Sequence, residues 1–228
     1  MSSRFALLAL VLMCSGCSDL LHRDTPAPQT YVLRAPESPL HAMNSAGTAT
    51  PRGLDTDGRP SSDIAALPTL QLPRPSADPG LATELITLVR SDHRMDYYAN
   101  SRWASDLPDV VETLAIDTLR TSGVWGAVQD APSPFLADYL LQINIRRFEA
   151  DYTGGGVAPK VYVTFDCTLA RRVGRDPMTS FVAEGSAEAG ENRLSAVVAA
   201  FEKAANTALA TMAEHSAAAI QVVATAKP

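Results

Sequence analysis

Cysteine is scarce in this chain of 228 residues: Cys14, Cys17 and Cys167 are the only three. Two of them fall at the amino terminus, so the body holds one and cannot close an internal disulfide; its stability must come from an apolar core. Charge of one sign is also lacking. The formal net charge is −6 and no basic cluster occurs, which removes the electrostatic footprint expected of a nucleic-acid binder. The four histidines, His22, His41, His93 and His215, are scattered and share no metal-ligand spacing with cysteine or with each other. Gly154-Gly155-Gly156 lacks the Lys-Ser/Thr of a phosphate loop and reads as a hairpin tip. Gly185-Ser186 lacks the flanking pattern of a nucleophile elbow. Asp92 and Asp96 flank His93, and a solvated turn accounts for all three. The expectation is a protein with no metal, no cofactor and no enzymatic activity.

Long apolar runs are missing as well, with one exception at the start. Phe5 to Met13 (FALLALVLM) follows Arg4 without a polar residue. It falls short of the roughly 20 residues a spanning helix needs and fits the apolar region of an export signal. Small residues follow at Ser15 and Gly16, and cleavage there would leave Cys17 first. Cys14-Ser15-Gly16-Cys17 resembles a bacterial lipobox, with Cys14 in the place usually held by Leu. Acylation at Cys14 is the other possibility, although Leu12 and Met13 before it are bulky; an ordinary signal with cysteines there by chance is the third. On the lipobox reading, the Cys17 thiol takes a diacylglyceryl group and its freed amine a further acyl chain. Each buried methylene contributes about 0.8 kcal/mol, and one chain holds only marginally, so three make a lasting anchor. Ser18 follows the cysteine and Asp appears only at 19. By resemblance to the sorting rule of enteric bacteria this favours the outer membrane, with inner-membrane anchoring as the alternative. Removing residues 1–16 takes away Arg4 alone among charged residues and leaves about one ordinary domain plus tails.

The mature chain divides by composition. Residues 17–29 form a short lipidated tether, and Thr30 to Arg34 reads as a first strand. Ala35 to Ser62 is rich in Pro, Gly, Ser and Thr and nearly free of large apolar residues, which predicts a disordered loop over about 35–64. Leu67 to Pro73 alternates between flanking prolines, as an edge strand would. Glu84 to Val89 and Arg94 to Ala99 pair as a hairpin around Ser91-Asp92-His93. Trp103 to Ser122 is helical, with Asp106 placed to cap it, Pro108 in the first turn and Gly123 ending it. Val124 to Gln129 is a short strand. Tyr139 to Tyr152, Lys160 to Arg171 and Thr179 to Ala189 form a meander; the middle strand alternates strictly, with Val161, Val163, Phe165, Cys167 and Leu169 on its apolar face. Cys167 therefore reads as core. Arg193 to about Ala219 is a long Ala-rich helix, followed by a tail over 220–228. Two amphipathic helices need an apolar face to cover. The predicted fold is an α+β two-layer sandwich, a mainly antiparallel sheet covered by one mid-chain and one C-terminal helix.

Trp103 has two readings: a wedge sealing helix onto sheet, or, with Arg102, part of a partner-facing patch, since aromatics and Arg are enriched where proteins meet. A set of features falls in a fixed order: the lipobox, Tyr31-Val32-Leu33, a hairpin ending in a Tyr-rich strand, Ser101-Arg102-Trp103-Ala104, Leu107, a helix ending at Ser122-Gly123, and Asp138-Tyr139-Leu140-Leu141 leading to Phe148-Glu149. In that order it resembles the ABC-type transport auxiliary lipoprotein component family, the lipoprotein partner of MCE-type lipid transporters, over about residues 30 to 215. The loop after the first strand is longer than usual for it. The resemblance implies an auxiliary α+β domain over 30–219 that binds an MCE-type periplasmic subunit and its ABC permease and ATPase. It also implies a complex moving phospholipid or another hydrophobic substrate between membranes. Lacking a nucleotide motif, the chain would draw energy from the other subunits. Two other readings stand beside it: a domain that itself carries lipid between sheet and helices, and a structural or assembly lipoprotein of the envelope with no transport role.

Overall fold

The computed structural model describes residues 27–35, 67–174 and 176–225. The export signal, Cys17 and nearly all of the loop expected over 35–64 lie outside them. Nine strands and two helices follow in the order β1 (Gln29–Tyr31), β2 (Thr69–Leu72), β3 (Ser76–Ala77), β4 (Leu85–Val89), β5 (Met95–Trp103), α1 (Leu107–Thr121), β6 (Ala127–Asp130), β7 (Tyr139–Asp151), β8 (Lys160–Arg171), β9 (Pro177–Glu188) and α2 (Leu194–Thr225) among the described residues.

One mixed sheet results, organised on β7. One edge of β7 pairs antiparallel with β8 along nearly its whole length, and β8 pairs antiparallel with β9. Its other edge meets three short parallel strands in turn: β2 at Tyr139 and Leu140, β3 at Asn144 and Ile145, β4 at Ala150 and Asp151. Beyond them, β6 runs parallel to β2, β5 antiparallel to β4, and β1 parallel to β5. The meander and hairpin stand as the sequence predicts. Two expectations change. The strand at 69–72 is interior, with β6 on one side and β7 on the other; its prolines, Pro68 and Pro73, lie just outside the pairing, so no ladder donor is lost. Ser101 to Trp103 extend β5 rather than opening the helix, because β1 pairs with them.

α1 begins at Leu107. Asp106 holds the N-cap position but makes no side-chain capping bond; its carboxylate lies 3.7 Å from Arg74 Nη2. Gly123, at φ +73°, turns the chain out of the helix as expected. α2 continues to Thr225, past the end expected near 219. Both helices contribute to a single core on one face of the sheet. Ile143, Ile145, Val163, Phe165 and Leu169 meet Val197, Phe201, Ala208 and Leu209 of α2 and Leu114 and Leu119 of α1, all nearly inaccessible to solvent. Trp103, Phe148 and Phe201 join β5, β7 and α2: Trp103 stands edge-on to Phe148 (centroids 6.0 Å) and to Phe201 (5.3 Å), which stack at 5.2 Å.

The small side chains of β9 and α2 allow close packing. A Cβ at Gly185 would overlap the carbonyl oxygen of Ala204 and lie 2.9 Å from the Ala208 nitrogen. Ala183, Ala187, Ala204, Ala205 and Ala208 surround this approach and are buried. The helix backbone thus rests nearly on the strand backbone.

Candidate functional site

The other face of the sheet carries polar side chains. The cross-strand pairing of Thr168 with Ser180 brings their hydroxyls to 3.0 Å, and Arg146 lies 3.6 Å from Asp166. The densest group sits where a register shift between Ile145 and Arg147 re-aims β7. Arg147 lies over the Tyr162 ring, its guanidinium carbon 4.4 Å from the centroid. From there its Nε and Nη2 donate to Glu149 Oε1 at 2.8 and 2.7 Å, and Nη2 lies 3.6 Å from Asp151. Lys160 approaches the same ring at 5.1 Å. Beside it a cleft of about 390 Å³ is lined by Thr153, Gly154, Lys160 and Glu188, among others.

At that end of the sheet, the β4–β5 hairpin and the start of α2 enclose a second cleft of about 540 Å³, lined by Leu88, Arg90, Ser91, Asp92, Arg94, Tyr152 and Asn192. The Tyr98 hydroxyl lies 2.9 Å from that of Tyr152, which donates to Asn192 Oδ1 at 2.8 Å. Burial, and then this bond, push the Tyr98 phenol well above its ordinary pKa. Arg90 donates to Asp96 at 2.7 Å. The Tyr97 backbone N–H and then Arg90 hold the Asp96 carboxyl below the usual range. His93 turns the hairpin at φ +63°. Asp92 and His93 lie exposed in this turn, as predicted, and exposed ion pairs of Asp92 with Arg94 and of Asp96 with Arg90 border it.

The structure separates Arg102 from Trp103. Arg102 is half-exposed and bonds Glu84 Oε1 at 3.2 Å. Trp103 points the opposite way and is 1% exposed, so its ring presents no surface to a partner and serves as the wedge between sheet and helices. Cys167 is buried in the core, and burial, then Asp166, push its thiol up to about 12. Among the described residues no group of three His, Cys, Asp or Glu is placed to hold a metal ion, and no helix is long and apolar enough to cross a membrane. Sequence reasoning missed the Arg147–Tyr162 stack, which depends on a cross-strand register. It also passed over Phe135-Leu136, although two large apolar residues after Pro132-Ser133-Pro134 in a loop are a readable signal.

Comparison with known proteins places these features. The sequence model of a family described as ABC-type transport auxiliary lipoprotein component matches residues 54–213. No curated protein matches the chain. Among solved structures, a protein of Xanthomonas campestris aligns with a TM-score of 0.65 at 21% identity, over 87% of this chain and 97% of its own. A second, uncharacterized protein aligns with a TM-score of 0.57 at 13% identity, over 86% of this chain and 99% of its own. At those identities the two structures establish a shared fold.

Proposed function

We propose, for a chain that belongs to the ABC-type transport auxiliary lipoprotein component family, a role as a non-enzymatic periplasmic adaptor. Acyl chains on Cys17 tether it to the outer membrane, and it serves an MCE-type transporter that moves phospholipid or another hydrophobic substrate between membranes. The family match carries this reading. It spans α1, the part of α2 up to residue 213 and every described strand except β1, so most of the folded domain lies within it. The lipobox supports the anchor.

The packing bears on how the chain would act. Trp103, Phe148, Phe165 and Phe201 fill the layer between sheet and helices, and a lipid carried there would have to displace them. The clefts of about 540 and 390 Å³ open at the surface instead. This favours an adaptor over a carrier. Co-purification from detergent-solubilised envelopes tests the reading: a tagged chain brings down an MCE-type subunit together with its ATPase, and recovery of neither in repeated trials overturns it.

A further inference from the structure

The turn between β4 and β5 and the residue just before α2 line opposite walls of the cleft of about 540 Å³, with Tyr152, one residue past β7, between them. Each wall is fixed by its own bonds. In the turn, Asp96 Oδ2 holds Arg90 by Nε and Nη2 at 2.7 and 2.6 Å, and Asp92 Oδ2 lies 3.3 Å from Nε of Arg94. The Arg94 backbone N–H donates to Asp92 Oδ1 at 3.3 Å. On the other wall, Asn192 Oδ1 accepts from the Tyr152 hydroxyl at 2.8 Å, which leaves the amide NH2 as its remaining group. Donors are left over on both walls. Among the described residues nothing bonds Nη1 of Arg90, either Nη of Arg94, the Ser91 hydroxyl or Nδ2 of Asn192. The charges, by contrast, are balanced. Arg90 faces Asp96, Arg94 faces Asp92, and on either side of Asn192 Arg193 and Glu191 pair at 3.6 Å.

We propose that this cleft binds a zwitterion: a phosphate ester that carries a primary amine. Two features select that chemistry. The first is that the spare donors come from two walls. A tetrahedral phosphate sends its oxygens in diverging directions, whereas the two oxygens of a carboxylate lie in one plane, and guanidinium groups bind phosphate through paired N–H bonds. The second is the charge balance. A bare anion would be attracted by Arg90 and Arg94 but opposed by Asp92 and Asp96, and a bare cation would meet the reverse. A ligand with both charges sets its phosphate against the Nη groups and its ammonium against Asp92, whose side chain is 57% exposed, so like charges are not brought together. Leu88 and the Tyr152 ring add an apolar wall for the ester's carbons, and the volume falls in the range of small-molecule sites. Exposed ion pairs each contribute little, so a dissociation constant of about 0.1–1 mM is expected. This group occurs both as the headgroup of an aminophospholipid and in soluble phosphate esters. The inference stands apart from the adaptor reading, because binding is read on the isolated chain.

Calorimetric titration of the full-length chain, held in maltoside micelles, with O-phosphoethanolamine provides the test. Saturable binding is expected, at least about tenfold tighter than that of inorganic phosphate, ethanolamine or glycine. Arg94→Gln should weaken it about tenfold or more, the loss expected for a hydrogen bond to a charged group. Asp92→Asn should weaken phosphoethanolamine by about as much while strengthening inorganic phosphate, since it removes the charge that favours the amine and opposes the anion. Arg146→Gln, which alters an ion pair elsewhere on the open face of the sheet, should change neither. Arg94 and Asp92 are exposed, so their variants should melt as wild type does. Ser91→Ala, which removes only a hydroxyl, gives a second reading with a loss of about two- to tenfold. Absence of saturation up to about 10 mM overturns the proposal, as does inorganic phosphate or glycine binding as tightly as phosphoethanolamine. Unchanged binding by Arg94→Gln or by Asp92→Asn overturns it too, as does an equal loss in Arg146→Gln. Dihexanoyl-phosphatidylethanolamine, with dihexanoyl-phosphatidylglycerol as the amine-free control, separates the two sources. Binding at least about tenfold tighter than that of glycerophosphoethanolamine supports a bilayer headgroup, and equal binding supports a soluble ester. Failure of the titration leaves the adaptor reading standing, because recovery of the transporter is measured independently.

Discussion

Gly185→Ala adds one methyl group to the place where β9 and α2 touch. The new Cβ would overlap the Ala204 carbonyl oxygen and stand 2.9 Å from the Ala208 nitrogen and 3.0 Å from the Ala204 carbonyl carbon. Favourable carbon contacts lie at about 3.5–4.0 Å, so even the two longer contacts require a separation of roughly half an ångström, and the carbonyl requires more. These are backbone atoms of a regular helix, with no side-chain rotation available to relieve them. α2 must therefore retreat from the sheet, loosening the buried contacts of Ala183, Ala204, Ala205 and Ala208. Overpacking of this kind costs typically 1–3 kcal/mol; with backbone on both sides the expectation is about 3 kcal/mol. In a domain of this size, each kcal/mol lowers Tm by about 2–4 °C, so the melting temperature should fall by about 6–12 °C in calorimetry or circular dichroism. The local propensity works the other way, because glycine in a strand interior is itself unfavourable by about 0.5–1 kcal/mol relative to alanine. A net loss thus isolates the clash. Gly190→Ala is the control: nothing lies within 4 Å of a Cβ there, and the change should stay within about 0.5 kcal/mol. Equal melting temperatures for Gly185→Ala and wild type would refute the close approach.

Trp103→Ala removes the ring that joins β5, β7 and α2 and should destabilise the domain by about 3–5 kcal/mol, read as a lower urea midpoint with an unchanged m-value. Tyr98→Phe deletes the half-buried hydroxyl bonded to Tyr152 and should cost about 1 kcal/mol, measured the same way; no change would mean that water satisfies Tyr152 equally well. In a chain beginning at Ser18, where Cys167 is the lone thiol, iodoacetamide at pH 8.5 should label the denatured protein and spare the folded one. The ordinary thiol value is 9.0 and the buried one about 12. The unfolded chain therefore loses this proton first; the stabilisation is complete below about 9 and is lost as pH rises toward about 12. Relative to Cys167→Ala, wild-type stability should decline across that window.

Local pattern carried the meander and the helices. Strict alternation from Val161 to Leu169 and the 3.6-residue spacing of Val197, Phe201 and Ala204 record burial directly. Features that depend on distant pairing were not legible. β2 looked like an edge strand because its prolines are visible in sequence, whereas its parallel neighbours β6 and β7 lie more than fifty residues downstream. The extension of β5 through Trp103 depends on Gln29 to Tyr31, some seventy residues earlier. β3 is two residues long and carries no signal. Arg102 and Trp103 read as one surface group because they are adjacent, but adjacent residues on a strand point to opposite faces. That alternation sends Arg102 outward and Trp103 inward. Phe135 and Leu136 are exposed in a loop whose end is tied by Asp138 to Thr69, a contact between residues sixty-nine apart.

Metabolic labelling with radioactive palmitate, followed by immunoprecipitation of the wild-type chain and of Cys17→Ala, tests most directly that this domain works from a lipid anchor. Label incorporated by wild type and absent from Cys17→Ala, with the variant released from the envelope fraction, is the predicted result. Unlabelled wild-type protein, or a Cys17→Ala chain that stays with the envelope as wild type does, would contradict it.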